Sequence, residues 1–316
     1  MQKLQPLVRR AQSGRSRYDK HSSLYLPYLP LSRTSSNSKA SNSDHDEHFQ
    51  IATPQEFVSW LAPPNLRPSA TPLVAPGTHE WFLNGDLFHD WLSGEKRYVF
   101  AHGGVGCGKT MLLRSAFEYC RRNVAESPSL STPFVLTFSF SSTTNRRLGL
   151  NDLLRSLLAQ LSRLHPFPRV LHEIYRADTK TFPPGPPDDN DKLMQVLTKV
   201  LTGSSLSHAN LAPNIYILLD ALDDMVEPSQ CQQATRFLNH LATLDLRNLR
   251  ILVTSRSLGL ANPWQSMWEQ YALPADKVAE DIERYVRWTV SENFHHLTSQ
   301  LQRKIIEGLT GPKQTM

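Results

Sequence analysis

The sequence predicts an α/β fold with a parallel β-sheet flanked by helices. Three observations carry that expectation. Apolar runs of strand length alternate with longer segments in which apolar residues recur at helical spacing. The runs are nearly continuous, as in Ile215-Tyr216-Ile217-Leu218-Leu219, which suits strands covered on both faces. A glycine cluster follows the first of these runs and opens directly into a helical segment. Strands that alternate with helices pair in parallel through right-handed crossovers, since a parallel pair cannot be closed by a tight hairpin.

Residues 51–96 read as a helical segment ahead of the core, residues 97–275 as the core, and residues 276–316 as the start of a helical lid. Trp81, Phe88 and Trp91 have near-helical spacing and are expected to form a hydrophobic cover on the sheet rather than a stacking platform for bases. Arg97 to His102 is the first strand, and Thr110 to about Arg122 the helix after the glycines. Phe134 to Phe140 is the next strand. Leu150 to Leu164 is an amphipathic helix, with Leu153, Leu154, Leu157, Leu158 and Leu161 on one stripe. A proline-rich break, Pro183 to Pro187, precedes a helix near Asp191 to Leu201. Asp188, Asp189, Asn190 and Asp191 stand where short polar and acidic side chains cap a helix N-terminus. Strand Asn214 to Leu219, helix Gln230 to Leu244, strand Leu249 to Thr254 and a short strand Tyr271 to Leu273 follow. Helices from about Lys277 to Val290 and Leu297 to Leu309 finish the chain.

Composition narrows the classes. Of 316 residues, 40% are hydrophobic and 20% charged, ordinary for a globular protein, so wholesale disorder is excluded. No stretch approaches the roughly 20 apolar residues that a membrane helix needs. Residues 1–50 hold 10 serines and 8 Lys or Arg against 4 Asp or Glu, and read as a disordered, basic tail. The rest of the chain holds 26 against 25, so the overall charge of +5 comes mostly from that tail. A near-neutral folded part argues against a nucleic-acid-binding face. Cys107, Cys120 and Cys231 make no paired framework, which points to a reducing compartment. With no apolar leader after the start, the expected location is cytoplasmic.

The chemistry concentrates at strand ends. Gly103-Gly104-Val105-Gly106-Cys107-Gly108-Lys109-Thr110 fits G-x-x-x-x-G-K-S/T, with a strand before it and a helix after it. Glycines let the backbone turn tightly and approach a phosphate closely, and successive N–H groups at a helix N-terminus form an anion nest. Lys109 is expected to reach the β- and γ-phosphates of ATP or GTP, and the Thr110 hydroxyl to ligate Mg²⁺. Within this nest Cys107 reads either as a thiol with lowered pKa or as a small residue that fits the loop. Asp220 ends the apolar strand from Asn214 and is placed to serve the metal. Asp223 and Asp224 follow, where a carboxylate could orient an attacking water. The strand from Leu249 leads into Ser255 and Arg256, and a cation there could sense or stabilise a γ-phosphate. The plainer alternatives are an acidic solvated turn and an exposed arginine. Arg146 and Arg147 read as a solvated loop.

Together these elements resemble the NACHT domain of STAND-class P-loop NTPases, in particular the fungal forms described as nephrocystin-like. Pro76-Gly77-Thr78 with Glu80-Trp81-Phe82-Leu83, then Phe88 and Trp91-Leu92, is similar to the segment those proteins carry ahead of the phosphate loop. Leu219-Asp220-Ala221-Leu222-Asp223-Asp224 and Ile251-Leu252-Val253-Thr254-Ser255-Arg256 are similar to their Mg²⁺-site and sensor strands. The resemblance covers about residues 72 to 295. It implies that Gly103 to Thr110 bind phosphate, that Thr110 and Asp220 serve the metal, that Asp223 is the catalytic carboxylate and that Arg256 is the sensor. Where the family usually has Asp-Glu, this chain has Asp223-Asp224; Val105 and Ser257 stand where prolines are common. Slow hydrolysis is the expectation that follows.

The resemblance implies a nucleotide-operated switch that signals through conformation or self-association, with itself or other NACHT proteins as partners. Two alternatives stay open. One is a turnover NTPase or phosphotransferase. The other is a shortened relative, ending after the first lid helices, that binds partners without cycling.

Overall fold

The structure, a computed structural model, describes residues 53–64, 74–125, 133–140, 148–164, 167–179, 188–203, 213–225, 227–256 and 266–310. The expected basic tail, the proline-rich break, Arg146, Arg147 and Ser257 lie outside the described residues. The elements run α1 (Pro54–Leu61), α2 (Glu80–Leu83), α3 (Asp86–Ser93), β1 (Tyr98–His102), α4 (Lys109–Ala125), β2 (Phe134–Ser139), α5 (Leu150–Leu161), α6 (Arg169–Thr179) and α7 (Asn190–Thr202). They continue with β3 (Ile215–Asp220), a 3₁₀ turn (Leu222–Asp224), α8 (Pro228–Thr243), β4 (Leu249–Ser255), β5 (Trp268–Ala272), α9 (Ala275–Asn293) and α10 (Ser299–Thr310).

All strand pairs are parallel, in the order β2-β3-β4-β1-β5. Successive side chains of a strand point to opposite faces, and both faces here are apolar. Tyr98, Phe100, Ile217, Leu219, Ile251 and Val253 face one core with α1 and α5–α8. Val99, Ala101, Tyr216, Leu218 and Leu252 face a second core under α2, α3 and α4. That two-sided burial is the physical source of the continuous apolar runs. Phe88 and Trp91 lie in the second core, as expected of a cover; Trp81 is only partly buried, and its indole N–H reaches α9.

Local chemistry sets the element ends. Thr53 and Glu56 form a reciprocal capping box at α1, Glu56 N–H donating to Thr53 Oγ1 at 3.2 Å and Thr53 N–H to Glu56 Oε2 at 2.8 Å. At α7 only one of the four expected capping residues caps: Asp189 Oδ1 accepts from Asp191 N–H at 2.9 Å. Asp188 instead pairs with Arg155 at 2.6 Å. The Leu150 helix stops at Leu161, three residues short of the expected end, where Ser162 takes the C-cap and its hydroxyl donates to Ala159 O at 2.8 Å. Helix α6 and the longer β5 were not expected. Val170, Leu171, Ile174 and Tyr175 recur at helical spacing in the first, between charged residues, and the last is an edge strand with Glu269, Gln270 and Ala272 exposed. Strand β2 is the other edge. The Gln160 side chain covers it by accepting from Thr137 N–H at 3.0 Å and donating to Thr137 O at 2.9 Å, which occupies groups that would otherwise pair with another chain.

Gly94 closes α3 with φ +92°, and a Cβ there would lie 2.7 Å from Arg250 Nη2. That guanidinium is buried against Tyr216 and donates to Ser93 O at 3.0 Å. Gly94→Ala is therefore expected to destabilise the fold by about 2 kcal/mol through backbone strain and loss of the arginine contact, read from urea unfolding.

Candidate functional site

Strand β1 delivers the glycine loop to the C-terminal edge of the sheet, and α4 begins at its last lysine. Gly106 (φ +76°) and Gly108 (φ +82°) take left-handed backbone conformations that a side chain resists. A Cβ on Gly104 or Gly106 would meet nothing within 4 Å, so there is open space beside both glycines. Lys109 bends back over the loop: Nζ donates to Gly103 O at 2.9 Å and Gly104 O at 2.7 Å. Cys107 Sγ lies 3.6 Å from the same nitrogen, and a Cβ on Gly103 would lie 2.7 Å from the sulfur. The thiol thus fills the inside of the turn. Val105, at the tip, is 84% exposed.

Asp220 ends β3 two strands away, with β4 between it and β1. It is 3% exposed. Thr254 Oγ1 donates to its Oδ1 at 2.7 Å and Ser139 Oγ to its Oδ2 at 3.2 Å, and the Thr110 hydroxyl lies near enough to favour its charged form. Burial pushes this carboxyl up from its ordinary value, against the pull of those three hydroxyls. The structure therefore brings Thr110 and Asp220, 110 positions apart in sequence, close together. A hydroxyl and a carboxylate side by side are hard oxygen donors, and with phosphate oxygens and water they fit Mg²⁺. Ser139 and Thr254 were not expected at the site. Their signal was available, because each is a polar residue near the C-terminal end of an apolar strand.

Ala221 takes φ +55°, which turns the chain sharply after β3 into the 3₁₀ turn and presents Asp223 and Asp224 to the end of β4. Ser255 Oγ and Arg256 N–H each donate to Asp223 Oδ1 at 2.8 Å. The Arg256 guanidinium bridges both carboxylates, Nε to Asp223 Oδ2 and Nη2 to Asp224 Oδ1. Partial burial works to raise the Asp223 carboxyl. The Arg256 side chain, its backbone N–H and the Ser255 hydroxyl outweigh it, and the net effect is a carboxyl held below its ordinary value.

Beside the glycine loop lies a cavity of about 280 Å³, which sequence reasoning missed. Trp81 and His79 form one wall, Gly106 to Gly108 and Met111 the floor, and Val278, Ile282 and Tyr285 of α9 the other wall. Asp281 holds the two walls together. Its Oδ2 accepts from His79 N–H at 2.9 Å and Trp81 Nε1–H at 2.6 Å, and its Oδ1 from Arg284 Nη1 at 3.2 Å. His79 Nδ1 is 3.0 Å from Ser115 Oγ, which anchors the same wall to α4. Burial lowers the His79 pKa, partly offset by Asp281, so the ring favours its neutral form. No local pattern signals a contact between residues 200 apart.

A parallel sheet with a glycine loop between its β1 and a long helix, and a buried carboxylate at the end of β3, defines the P-loop NTPase fold. The chain belongs to the family described as Nephrocystin 3, N-terminal, whose match spans residues 77–256. No curated protein matches it. Among solved structures it is similar to Drosophila ORC bound to DNA, with 13% identity, a TM-score of 0.42, and coverage of 89% of this chain and 57% of that one. It is similar too to Cdc6p from Pyrobaculum aerophilum, with 13% identity, a TM-score of 0.41 and coverage of 72% and 52%. For domain III of DnaA from Thermotoga maritima the figures are 15% identity, a TM-score of 0.39 and coverage of 74% and 78%. The chain spans little more than half the length of the first two. Nothing about function follows from likenesses this distant. No described helix is long and apolar enough to cross a membrane.

Proposed function

We propose that this chain is a nucleoside-triphosphate-binding switch of the NACHT type that hydrolyses slowly or not at all. The observation that carries the reading is the buried Asp220 carboxyl at the end of β3, set beside the Thr110 hydroxyl at the mouth of the glycine loop. In this reading the N–H groups of Gly103 to Thr110 cradle the phosphates at the start of α4, and Lys109 leaves its loop carbonyls for phosphate oxygens. Thr110 and Asp220 hold Mg²⁺, which neutralises phosphate charge when bound. Asp223 orients the attacking water, with Asp224 beside it, and Arg256 addresses the γ-phosphate. The apolar cavity between Trp81 and α9 takes the base of ATP or GTP. Residues 276–316 then act as a lid, because α9 supplies one wall of that cavity and the Asp281 clasp ties it to the segment ahead of the core.

A switch of this kind changes its association state with its nucleotide. Full-length protein examined by analytical ultracentrifugation is expected to self-associate with ATP or GTP and Mg²⁺ and to stay dispersed with the diphosphate. Turnover is expected to stay well below the roughly 1 s⁻¹ at which ordinary enzymes begin. Fast turnover that Asp223→Asn removes would make the protein an enzyme instead. Binding of neither nucleotide by folded protein would leave an interaction module.

A further inference from the structure

We propose that Arg256 is a removable cover on a carboxylate the fold has already aimed, so that a triphosphate, by drawing Arg256 away, frees Asp223 to act. The proposal rests on the reading of this site as a nucleoside-triphosphate site.

The two oxygens of Asp223 are held in different ways. Oδ1 accepts from Ser255 Oγ and Arg256 N–H, both at 2.8 Å. These donors belong to the end of β4, a strand buried along its whole length, and Ser255 is 0% exposed. They fix the carboxylate's direction and have nowhere to go. Among the described residues, Oδ2 accepts from Arg256 Nε, on a side chain that is 49% exposed and ends on Asp224. One oxygen is anchored by the scaffold and the other is capped by a long, flexible cation.

With Arg256 on it, Oδ2 is a poor base, because the guanidinium stabilises the charged carboxylate. For hydrolysis the water oxygen bonds to the γ-phosphorus while the bond from that phosphorus to the β–γ bridging oxygen breaks. The water's proton passes to Asp223 Oδ2 and then to solvent. That transfer is favoured by releasing Oδ2 while Oδ1 stays held. Withdrawal of the Arg256 side chain does this, because the backbone N–H of the same residue keeps its bond to Oδ1. Half-exposed arginine–carboxylate pairs are weak, and a guanidinium exchanges them readily for the fork of a phosphate. A triphosphate therefore opens the cover and a diphosphate, lacking the γ-group, leaves it shut.

Loosening the cover from the Asp224 side tests this without touching the Oδ1 anchor. The affinities of ATP and ADP, each with Mg²⁺, are measured by calorimetry on the full chain and on Asp224→Asn, Arg256→Gln and the double variant. Asp224→Asn is expected to tighten ATP about threefold and to leave ADP unchanged. In the Arg256→Gln background the same substitution is expected to change neither. An equal gain with and without Arg256 would mean simple relief of charge repulsion and would overturn the cover. So would the absence of any gain for ATP. Asp223→Asn, which weakens the other end of the same bridge, must favour ATP in the same direction. Failure of the unmodified chain to bind either nucleotide would overturn the underlying reading instead.

Discussion

Replacing Lys109 with alanine is expected to weaken binding of ATP and GTP by roughly 100-fold, the loss of two charge-assisted hydrogen bonds to phosphate. Lys109 Nζ already sits over the loop, spending its donors on Gly103 O and Gly104 O while open space lies beside Gly104 and Gly106. Its ammonium has only to swing from carbonyls to phosphate oxygens. Equilibrium titration with fluorescent ATP and GTP, with and without Mg²⁺, reads the effect and the preferred base together. The lysine lies on a loop whose tip is exposed, so the melting temperature of nucleotide-free protein should hardly move. Unchanged affinity in a folded Lys109→Ala variant would remove the phosphate site from this loop and the proposed switch with it.

The second large effect concerns the platform on which that loop rests. Trp91→Ala is expected to destabilise the fold by about 3–5 kcal/mol in urea unfolding. Trp91 is 1% exposed, packs on Phe88 at 5.5 Å and on Tyr216 at 5.2 Å between ring centres, and its Nε1–H donates to Ile251 O at 3.2 Å. It joins α3 to the core that α4 shares, so its removal leaves a cavity and takes away a hydrogen bond at once. Trp91→Phe keeps most of the packing and is expected to lose about 1 kcal/mol, the hydrogen bond alone. A loss under 1 kcal/mol for Trp91→Ala would mean that α3 is a loose flap.

The elements that were legible in the sequence are those with dense local signals. The Ile215 run, the leucine stripe of α5 and the glycine loop each announce themselves within a dozen residues, since a strand buried on both faces and an amphipathic helix have fixed periods. Helix α6 carries the same kind of signal in a short segment, Val170, Leu171, Ile174 and Tyr175 packing on the core with Arg169, His172, Glu173 and Arg176 between them, and it was not expected although the pattern was there. The metal-site pair and the Asp223–Arg256 pair follow from motif order. Their further partners, Ser139, Thr254 and Ser255, are each legible as a polar residue at the C-terminal end of an apolar strand, but which carboxylate each one meets is decided by the tertiary structure.

By itself the sequence determined the glycine loop and the parallel sheet that carries it. A nest of backbone N–H groups at a helix start is built by eight consecutive residues and needs no distant partner. Only the tertiary structure decided which oxygen of Asp223 is anchored and which is covered, and that Asp281 clasps Trp81 across 200 positions to make a cavity beside the loop. Those are relations between strand ends and a returning helix. They depend on strand order and burial in three dimensions, which periodicity along a chain does not encode.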